Sequence, residues 1–209
     1  MTRYASALVS VKVLVTGGAG FIGSHLCELL LDAGDEVWVL DDLSTGSLDN
    51  VAHLRDRAEF HLVVDTMLSR TVVNELVNKV DVVYHLAAAV GPRLIVEQPV
   101  HTIVTNLEGS EIVLDHCARF DRRVLVASTS EVYGDHRSPE PLREDARRVY
   151  GPTTQRRWLY ADSKAMDEYL ALAYRQERGL DFVVARLFNT VGPRQSGQYG
   201  MVVARFVQA

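Results

Sequence analysis

Short apolar runs rich in β-branched residues alternate along the chain with longer segments in which apolar side chains recur at helical spacing. The apolar runs predict strands at residues 11–15, 37–40, 60–64, 82–86, 124–127 and 182–186. The periodic segments predict helices at residues 21–33, 68–78, 100–120 and 158–178, the first and last of which end before a glycine. Because strands that alternate with helices form parallel sheets, the pattern predicts an α/β fold: a doubly wound parallel sheet with helices on both faces.

Other stretches lack periodicity or interrupt it. Residues 41–56 and 139–152 are polar and rich in turn-forming residues, so both are predicted loops, the first with a short helix at residues 51–54 and the second exposed and near a substrate. Asn106 and Gly109 are expected to interrupt the third helix, with Asn106 as a satisfied buried amide. Residues 201–209 have the pattern of the first turns of another helix.

Three spaced glycines separate the first strand from the first helix. They are Gly17, Gly20 and Gly23, and the first of them directly follows Thr16. In a phosphate-binding turn the first glycine lets the chain turn sharply, the second lets the backbone approach a pyrophosphate, and the third lets helix pack closely on strand. The free N–H groups at the start of the helix then face the anion. A glycine triplet also occurs in turns without a ligand, so the ends of the next strands decide between the two interpretations.

Acidic residues stand at those ends. Asp41 follows the second strand, eighteen residues after Gly23, where a Rossmann dinucleotide fold places a carboxylate that binds both ribose hydroxyls. A carboxylate there repels a 2′-phosphate, so the predicted cofactor is NAD rather than NADP, with Asp42 as a neighbouring solvated acid. Asp65 ends the third strand, and two hypotheses remain open for it: a cofactor contact or the N-cap of the following helix.

Composition excludes several classes of protein. The 209 residues are 47% hydrophobic and 23% charged, which suits one globular domain, and the formal net charge of −5 argues against nucleic-acid or membrane partners. No apolar run approaches the ~20 residues that span a bilayer, and the first ten residues are too short for a secretory signal, so we expect a cytoplasmic protein. Cys27 and Cys117 have neither metal-ligand nor disulfide spacing and are expected to be buried, and no metal site is expected.

Tyr160 and Lys164 are the candidate catalytic pair. Their i, i+4 spacing places them on one face of the last predicted helix. A phenol has a reference pKa near ~10, and a neighbouring ammonium favours the phenolate, so Tyr160 can act as a general base. Such pairs are common on solvated helices, but this one follows the fifth strand of a dinucleotide fold, whose carboxyl end is where chemistry is expected.

Six motifs occur in one order along the chain. They are TGGAGFIG (16–23), DDLSTG (41–46), HLAA (85–88), STSEVYG (128–134), YADSK (160–164) and RLFNTVGPR (186–194). Together they resemble the extended short-chain dehydrogenase/reductase family, in its NAD-dependent nucleotide-sugar epimerase, dehydratase and decarboxylase branch. The resemblance covers nearly the whole chain.

The resemblance implies a role for each matching residue. The glycine turn lies on the pyrophosphate, Asp41 on the adenine ribose and Asp65 near adenine, while Lys164 holds the nicotinamide ribose and lowers the pKa of Tyr160. The cofactor set is Gly17, Gly20, Phe21, Ile22, Gly23, Asp41, Asp42, Asp65, Leu86, Ala87, Tyr160 and Lys164. The catalytic set is Thr129, which bonds the sugar O4, with Glu131, Tyr160 and Lys164; the substrate set is Ser130, Asn189 and Arg194, the last two at the nucleotide diphosphate.

The family chemistry begins when hydride leaves C4 of the sugar for NAD as Tyr160 takes the O4 proton, which gives a 4-keto intermediate. Glu131 favours a second base or a decarboxylase over a simple 4-epimerase, and Ser130 replaces the Asp of dTDP-glucose-type dehydratases. Thr129-Ser130-Glu131 is similar to UDP-glucuronate decarboxylases, which form UDP-xylose, and to GDP-mannose 4,6-dehydratases. Ser163 before Lys164 departs from the usual decarboxylase form and keeps a 4-epimerase acting on UDP-glucose or UDP-glucuronate as an alternative.

Family members are longer than this chain, and their smaller C-terminal domain makes most substrate contacts. We expect residues 1–200 to form the NAD-binding domain and residues 201–209 to begin a truncated substrate-binding portion. The resemblance also implies a homodimer built on the helices at 100–120 and 158–178. A non-catalytic NAD-binding sensor is the alternative from a different class, and the presence of Thr129, Tyr160 and Lys164 together favours the enzyme.

Overall fold

Six parallel strands form the central sheet of the computed structural model, which describes residues 10–136 and 140–197 together with residues 203, 206 and 207. The strands are β1 (Lys12–Thr16), β2 (Glu36–Asp41), β3 (Phe60–Val64), β4 (Val82–His85), β5 (Arg123–Thr129) and β6 (Phe182–Leu187). The helices are α1 (Phe21–Asp32), α2 (Arg70–Lys79), α3 (Pro92–Glu97), α4 (Pro99–Arg119) and α5 (Trp158–Arg178). The predicted doubly wound fold is confirmed.

The strand order is β3-β2-β1-β4-β5-β6, and every neighbouring pair is parallel. Chain order runs outward in both directions from the centre, so the direction of winding changes between β1 and β4. In open α/β sheets, ligands bind in the crevice outside the carboxyl ends of the strands at this switch point. From the topology alone, a ligand is therefore expected beside the residues that follow β1 and β4.

Two hydrophobic clusters cover the two faces of the sheet. Alternate residues of β1 belong to different clusters: Leu14 packs with α2, α4 and α5, whereas Val13 and Val15 pack with α1. All three side chains are at most 2% exposed. Because β1 is buried on both faces, its run of apolar residues is continuous instead of alternating with polar ones, as is typical of a parallel sheet.

Three features differ from the sequence-based expectation. Helix α3 and a 3-10 turn at Ser130–Tyr133 were not predicted, because elements of six and four residues are too short to show a helical period. Helix α4 continues through Gly109, where a Cβ would lie 2.7 Å from the Cε of Met67, so the glycine allows close packing and does not interrupt the helix.

Of residues 201–209, those that the structure describes (Val203, Phe206 and Val207) are helical, and the others lie outside the described residues, as do residues 137–139.

Helix α5 ends as predicted. Gly179 takes the left-handed conformation (φ +73°), and its N–H donates to the carbonyl of Arg175 at 3.0 Å. Asn106 is the satisfied buried amide that was expected: its Oδ1 accepts a hydrogen bond from the Ala89 N–H at 2.7 Å, and its Nδ2 donates to Ser163 Oγ at 3.2 Å. These bonds fix the loop after β4 against α4 and α5.

Candidate active site

One cleft of about 870 Å³ opens at the carboxyl edge of the sheet. All of the predicted site residues line it: Gly17, Gly20, Phe21, Ile22, Gly23, Asp41, Asp42, Asp65, Leu86, Ala87, Thr129, Ser130, Glu131, Tyr160, Lys164, Asn189 and Arg194. They come from segments that are far apart along the chain, and the fold alone brings them together. Their individual roles stay predictions.

The glycine turn is too tight for side chains. Gly17 has a φ of +74°, and a Cβ on it would lie 2.9 Å from the Ala87 backbone nitrogen. A Cβ on Gly23 would lie 2.1 Å from the carbonyl oxygen of Gly17, which no real contact allows, whereas one on Gly20 would meet that oxygen at 3.1 Å. Gly17 and Gly23 are therefore required by the fold itself. Gly20 is much less constrained by the protein.

The start of α1 is open to an anion. Gly20 is its N-cap and has no side chain to satisfy the first N–H groups, and its first turn carries no acidic residue. Gly20, Phe21 and Ile22 line the cleft. An uncapped helix start beside a space that a glycine leaves clear is the geometry that accepts a pyrophosphate.

Asp41 both shapes the turn and faces the cleft. It is 7% exposed; its Oδ2 accepts from the Ala19 N–H and its Oδ1 from the Leu43 N–H, each at 2.9 Å. Burial raises the pKa of Asp41, and these two hydrogen bonds oppose the rise. A carboxylate can accept about four hydrogen bonds, so two remain for ribose hydroxyls. Asp42 is exposed, as expected, and accepts from the Ser44 N–H at 2.9 Å.

The structure separates the two hypotheses for Asp65. Its Oδ1 accepts from the Thr66 N–H at 2.7 Å, while the N-cap of α2 is Ser69. The N-cap hypothesis for Asp65 is therefore wrong. Its position on the cleft wall is compatible with the cofactor contact.

The last residue of β5 caps a short turn, and the residues that follow it line the cleft. The Thr129 hydroxyl accepts from the Glu131 N–H at 3.2 Å and caps the 3-10 turn at Ser130–Tyr133. Glu131 is exposed at the cleft. The surrounding protein atoms raise the pKa of its carboxyl by desolvation, and Arg157 lowers it. Glu131 is therefore a cleft-lining carboxyl group with a raised pKa.

Tyr160 and Lys164 lie on one face of α5, but their electrostatics differ from the expectation. Burial raises the pKa of Tyr160, and Glu131 and then Asp167 raise it further, so the predicted lowering by Lys164 is not found. Lys164 has a partner of its own: its Nζ donates to Asp167 Oδ2 at 2.6 Å, and the two side chains are 3% and 0% exposed. Sequence reasoning missed Asp167, although its i, i+3 spacing from Lys164 was visible.

A buried polar chain connects the glycine turn to α4. Thr16 Oγ1 accepts from the Ala87 N–H at 3.2 Å and lies 2.8 Å from His85 Nδ1, while His85 Nε2 lies 3.1 Å from Ser110 Oγ. Burial, followed by the charge of Lys164, lowers the pKa of His85 to about 3. His85 is therefore neutral and joins β1, β4 and α4 at the switch point without contributing charge.

Arg194, the predicted diphosphate ligand, makes an ion pair that sequence reasoning did not find. Its Nη2 lies 2.6 Å from Glu28 Oε1 on α1, and its backbone is left-handed with a φ of +67°. The hydrogen bond with Arg194 is the main cause that lowers the pKa of Glu28. Burial opposes this effect, and His53 lowers the pKa further. The partners are 166 positions apart, so no sequence pattern signals the pair. Asn189 is exposed on the same loop and lines the cleft.

Other predicted features of the chain are also tested. Cys27 and Cys117 are buried free thiols, and burial raises the pKa of each to about 12. No His, Cys, Asp or Glu cluster with metal-binding geometry occurs among the described residues. In the same part of the chain, no helix combines the length and the apolar character needed to cross a membrane.

Comparison with known proteins identifies the family. The model described as Epimerase, NAD dependent epimerase/dehydratase family, matches residues 13–209. The chain belongs to this family. The resemblance drawn from the six motifs is thereby confirmed, and so is the expectation of an NAD-dependent enzyme family.

Relatives in the epimerase/dehydratase family carry more than one activity in their names. The chain is 39% identical over 199 residues to a UDP-N-acetyl-alpha-D-glucosaminuronate decarboxylase of Bacillus cytotoxicus, covering 95% of this chain and 60% of that protein. It is 38% identical over 200 residues to UDP-glucuronic acid decarboxylase 1 of Arabidopsis thaliana, covering 94% and 44%. A crystal structure of Thermus thermophilus UDP-glucose 4-epimerase in complex with NAD superposes with a TM-score of 0.82 at 34% identity, covering 93% and 61%.

Proposed function

We propose that the protein binds NAD in the cleft and uses it to oxidise C4 of a nucleotide-diphosphate sugar, and that its reaction is decarboxylation of UDP-glucuronate to UDP-xylose. The observation that carries the proposal is the convergence, in one cleft, of the glycine turn and Asp41 at one end with Thr129, Glu131 and Tyr160 at the other. The decarboxylases at 38% and 39% identity support the choice of reaction.

The residues present fit NAD. Gly20 leaves clear the space that a Cβ would fill, the first N–H groups of α1 face it, and Asp41 keeps hydrogen-bonding capacity for the ribose. Leu86 and Ala87 line the cleft directly after β4 and supply apolar walls. Bound NAD supplies a hydride acceptor; the chain's own residues supply orientation and proton transfer.

Tyr160 is the proposed base for the sugar O4 proton. Its burial and its acidic neighbours keep the phenol protonated in the protein alone, so deprotonation requires additional positive charge in the cleft. Thr129, at the carboxyl end of β5, is proposed to bond O4 beside Tyr160 and so to align C4 for hydride transfer.

Glu131 is proposed to act on the ring at C5. Once C4 is a ketone, the adjacent carboxylate can leave as CO₂ because the ketone stabilises the resulting carbanion, and a proton must then be returned to C5. The exposed carboxyl of Glu131, whose pKa is raised by desolvation, can hold that proton. Ser130, Asn189 and Arg194 are proposed to bind the substrate, the last two at its diphosphate.

A 4-epimerase is the second candidate, favoured by the structural likeness to a UDP-glucose 4-epimerase at 34% identity. The two reactions share oxidation at C4 and differ in the fate of the 4-keto intermediate. The chain spans 60% and 44% of the length of the two decarboxylase relatives. The division at residue 200 and the cytoplasmic location stay predictions.

We also propose a homodimer. Val100, Ile103 and Val104 of α4 and Tyr169 and Leu172 of α5 are exposed apolar side chains at helical spacing on two helices that pack together. Exposed apolar side chains that cluster on packed helices favour a protein–protein interface. Sedimentation of the intact protein tests this: a mass of two chains is expected, and a monomer at all concentrations contradicts it.

The experiment that tests the reaction is incubation of the intact protein with UDP-glucuronate, UDP-glucose or GDP-mannose, followed by mass spectrometry. Decarboxylation removes about 44 mass units from UDP-glucuronate, dehydration of GDP-mannose removes about 18, and epimerisation changes configuration at constant mass. Loss of CO₂ is expected. No change with any sugar, despite bound NAD, contradicts the enzyme and favours an NAD-binding sensor.

A further inference from the structure

The unexpected feature of the site is a buried ion pair on α5, the helix that carries the proposed base. Lys164 is 2% exposed and Asp167 is 0% exposed, and they lie one turn apart on α5 with 2.6 Å between Nζ and Oδ2. Asp167 Oδ1 makes no hydrogen bond with the described residues. Burial raises the pKa of Asp167, and Lys164 and then the Ser110 hydroxyl of α4 oppose the rise. Water is excluded from both charges.

We propose that Asp167 is a positioning residue for Lys164: its carboxylate holds the ammonium in the cleft wall and balances its charge, so that Lys164 alone does not ionise Tyr160. This inference rests on the proposed function only in taking Tyr160 as the base. Lys164 is also one of the residues that line the cleft.

The charges around the site support this arrangement. Glu131 from the turn after β5 and Asp167 from α5 both act on Tyr160, and both oppose its ionisation. On the other elements, His85 of β4 is neutral, and Ser110 of α4 carries no charge. Glu168 is paired with Arg186 and also raises the pKa of Asp167, and Arg157 acts on Glu131.

The sign of the effect follows from counting charges. With Tyr160 protonated, Lys164 charged and Asp167 ionised, the trio is neutral, and loss of one proton makes it negative in a buried site. With Asn at position 167 the same trio is positive, and loss of one proton makes it neutral. Loss of the Tyr160 proton is therefore favoured in the variant, and Tyr160 ionises at lower pH.

The test is an ultraviolet titration of tyrosinate in the intact protein without added cofactor. In the parent, the signal of Tyr160 is isolated by subtracting the curve of Tyr160→Phe. In Asp167→Asn, it is isolated by subtracting the curve of the double variant that carries both Asp167→Asn and Tyr160→Phe. In Asp167→Asn the Tyr160 signal is expected to rise about 1 to 3 pH units below that of the parent. Equal titration of Tyr160 in two folded proteins overturns the proposal.

Two further variants make the test decisive. Asp162→Asn removes the same charge from an exposed position of α5, where Asp162 pairs with Arg148 at 2.9 Å, and is expected to leave the Tyr160 titration unchanged. Asp167→Glu keeps the charge and is expected to restore the parent titration. If Asp167→Asn does not fold, Asp167→Ser removes the charge with a smaller side chain, and the same shift is expected of it.

A kinetic readout separates this inference from the proposed function. If Tyr160 is the base, the acid limb of kcat/KM for the sugar nucleotide also moves to lower pH in Asp167→Asn. A shifted titration in a protein that converts no nucleotide sugar supports the role of Asp167 and contradicts the proposed function. An unshifted titration in an enzyme that converts the nucleotide sugar supports the proposed function and contradicts the role of Asp167.

Discussion

Replacing Gly20 or Gly23 by alanine separates the two tasks that the glycine turn performs. A Cβ at position 23 would lie 2.1 Å from the Gly17 carbonyl oxygen and 2.7 Å from the Gly18 Cα, and both of these atoms are backbone. Neither can turn away as a side chain would, so the strand-to-helix turn has to open. A Cβ at position 20 meets one atom at 3.1 Å and requires a shift of only a few tenths of an ångström.

The expected magnitudes differ accordingly. Overpacking against backbone costs about 3 kcal/mol at position 23, which in a domain of this size lowers Tm by roughly 6 to 12 °C. At position 20 the cost is about 1 kcal/mol or less, but the new methyl group occupies the space through which a pyrophosphate approaches. We expect the Kd for NAD of Gly20→Ala to rise at least about tenfold, equivalent to about 1.4 kcal/mol.

Chemical denaturation and calorimetric NAD titration measure the two effects. Gly34→Ala is the matched control, since Gly34 has a φ of +93° and a Cβ added there would have no atom within 4 Å: strain lowers its stability while NAD binding is kept. Unchanged NAD affinity in a folded Gly20→Ala protein would refute the assignment of this turn to the pyrophosphate. Equal stability of Gly23→Ala and the parent would refute the steric argument.

Three other substitutions probe the site. Tyr160→Phe is expected to keep NAD affinity within about twofold and to lower turnover by at least about 100-fold, because the O4 proton loses its acceptor; normal turnover contradicts this. Asp41→Ala is expected to weaken NAD at least about tenfold by calorimetry, since both ribose bonds and the bonds to the turn are lost; an unchanged affinity contradicts the ribose assignment. The Glu168 side chain is 14% exposed and pairs with Arg186 at 2.7 Å. Burial raises the pKa of Glu168, but the hydrogen bonds with Arg186 and then with Ser128 outweigh this effect, so the pKa is lowered. Glu168→Gln is therefore expected to cost about 1 to 3 kcal/mol at neutral pH, and this difference should vanish as pH falls through the lowered pKa of Glu168; a deficit that persists in acid refutes the linkage.

The fold could be predicted because its signals are local. The apolar run of β1, the glycines after Thr16 and the left-handed Gly179 at the end of α5 each act within a few residues. Parallel topology then follows from the alternation of strands and helices. The positions of the site residues follow in turn, because the carboxyl ends of parallel strands meet at one edge of the sheet.

The features that could not be predicted depend on contacts between distant segments or on side-chain orientation. The pairing of Arg194 with Glu28 joins residues from the two ends of the described chain. The spacing of Lys164 and Asp167 was visible, but it does not show that both side chains turn inward and become fully buried. The raised pKa of Tyr160 likewise depends on burial first, and then on the charges of Glu131 and Asp167, which sequence spacing does not show.

The most direct test of the account is the fate of deuterium placed at C4 of UDP-glucuronate and turned over by the intact protein. If hydride leaves C4 and returns to it within one cleft, the product UDP-xylose retains the label at C4, even when unlabelled NADH is present in solution. Retention is the predicted result. Loss of the label to solvent or to free cofactor would contradict the use of NAD as an internal oxidant beside Tyr160.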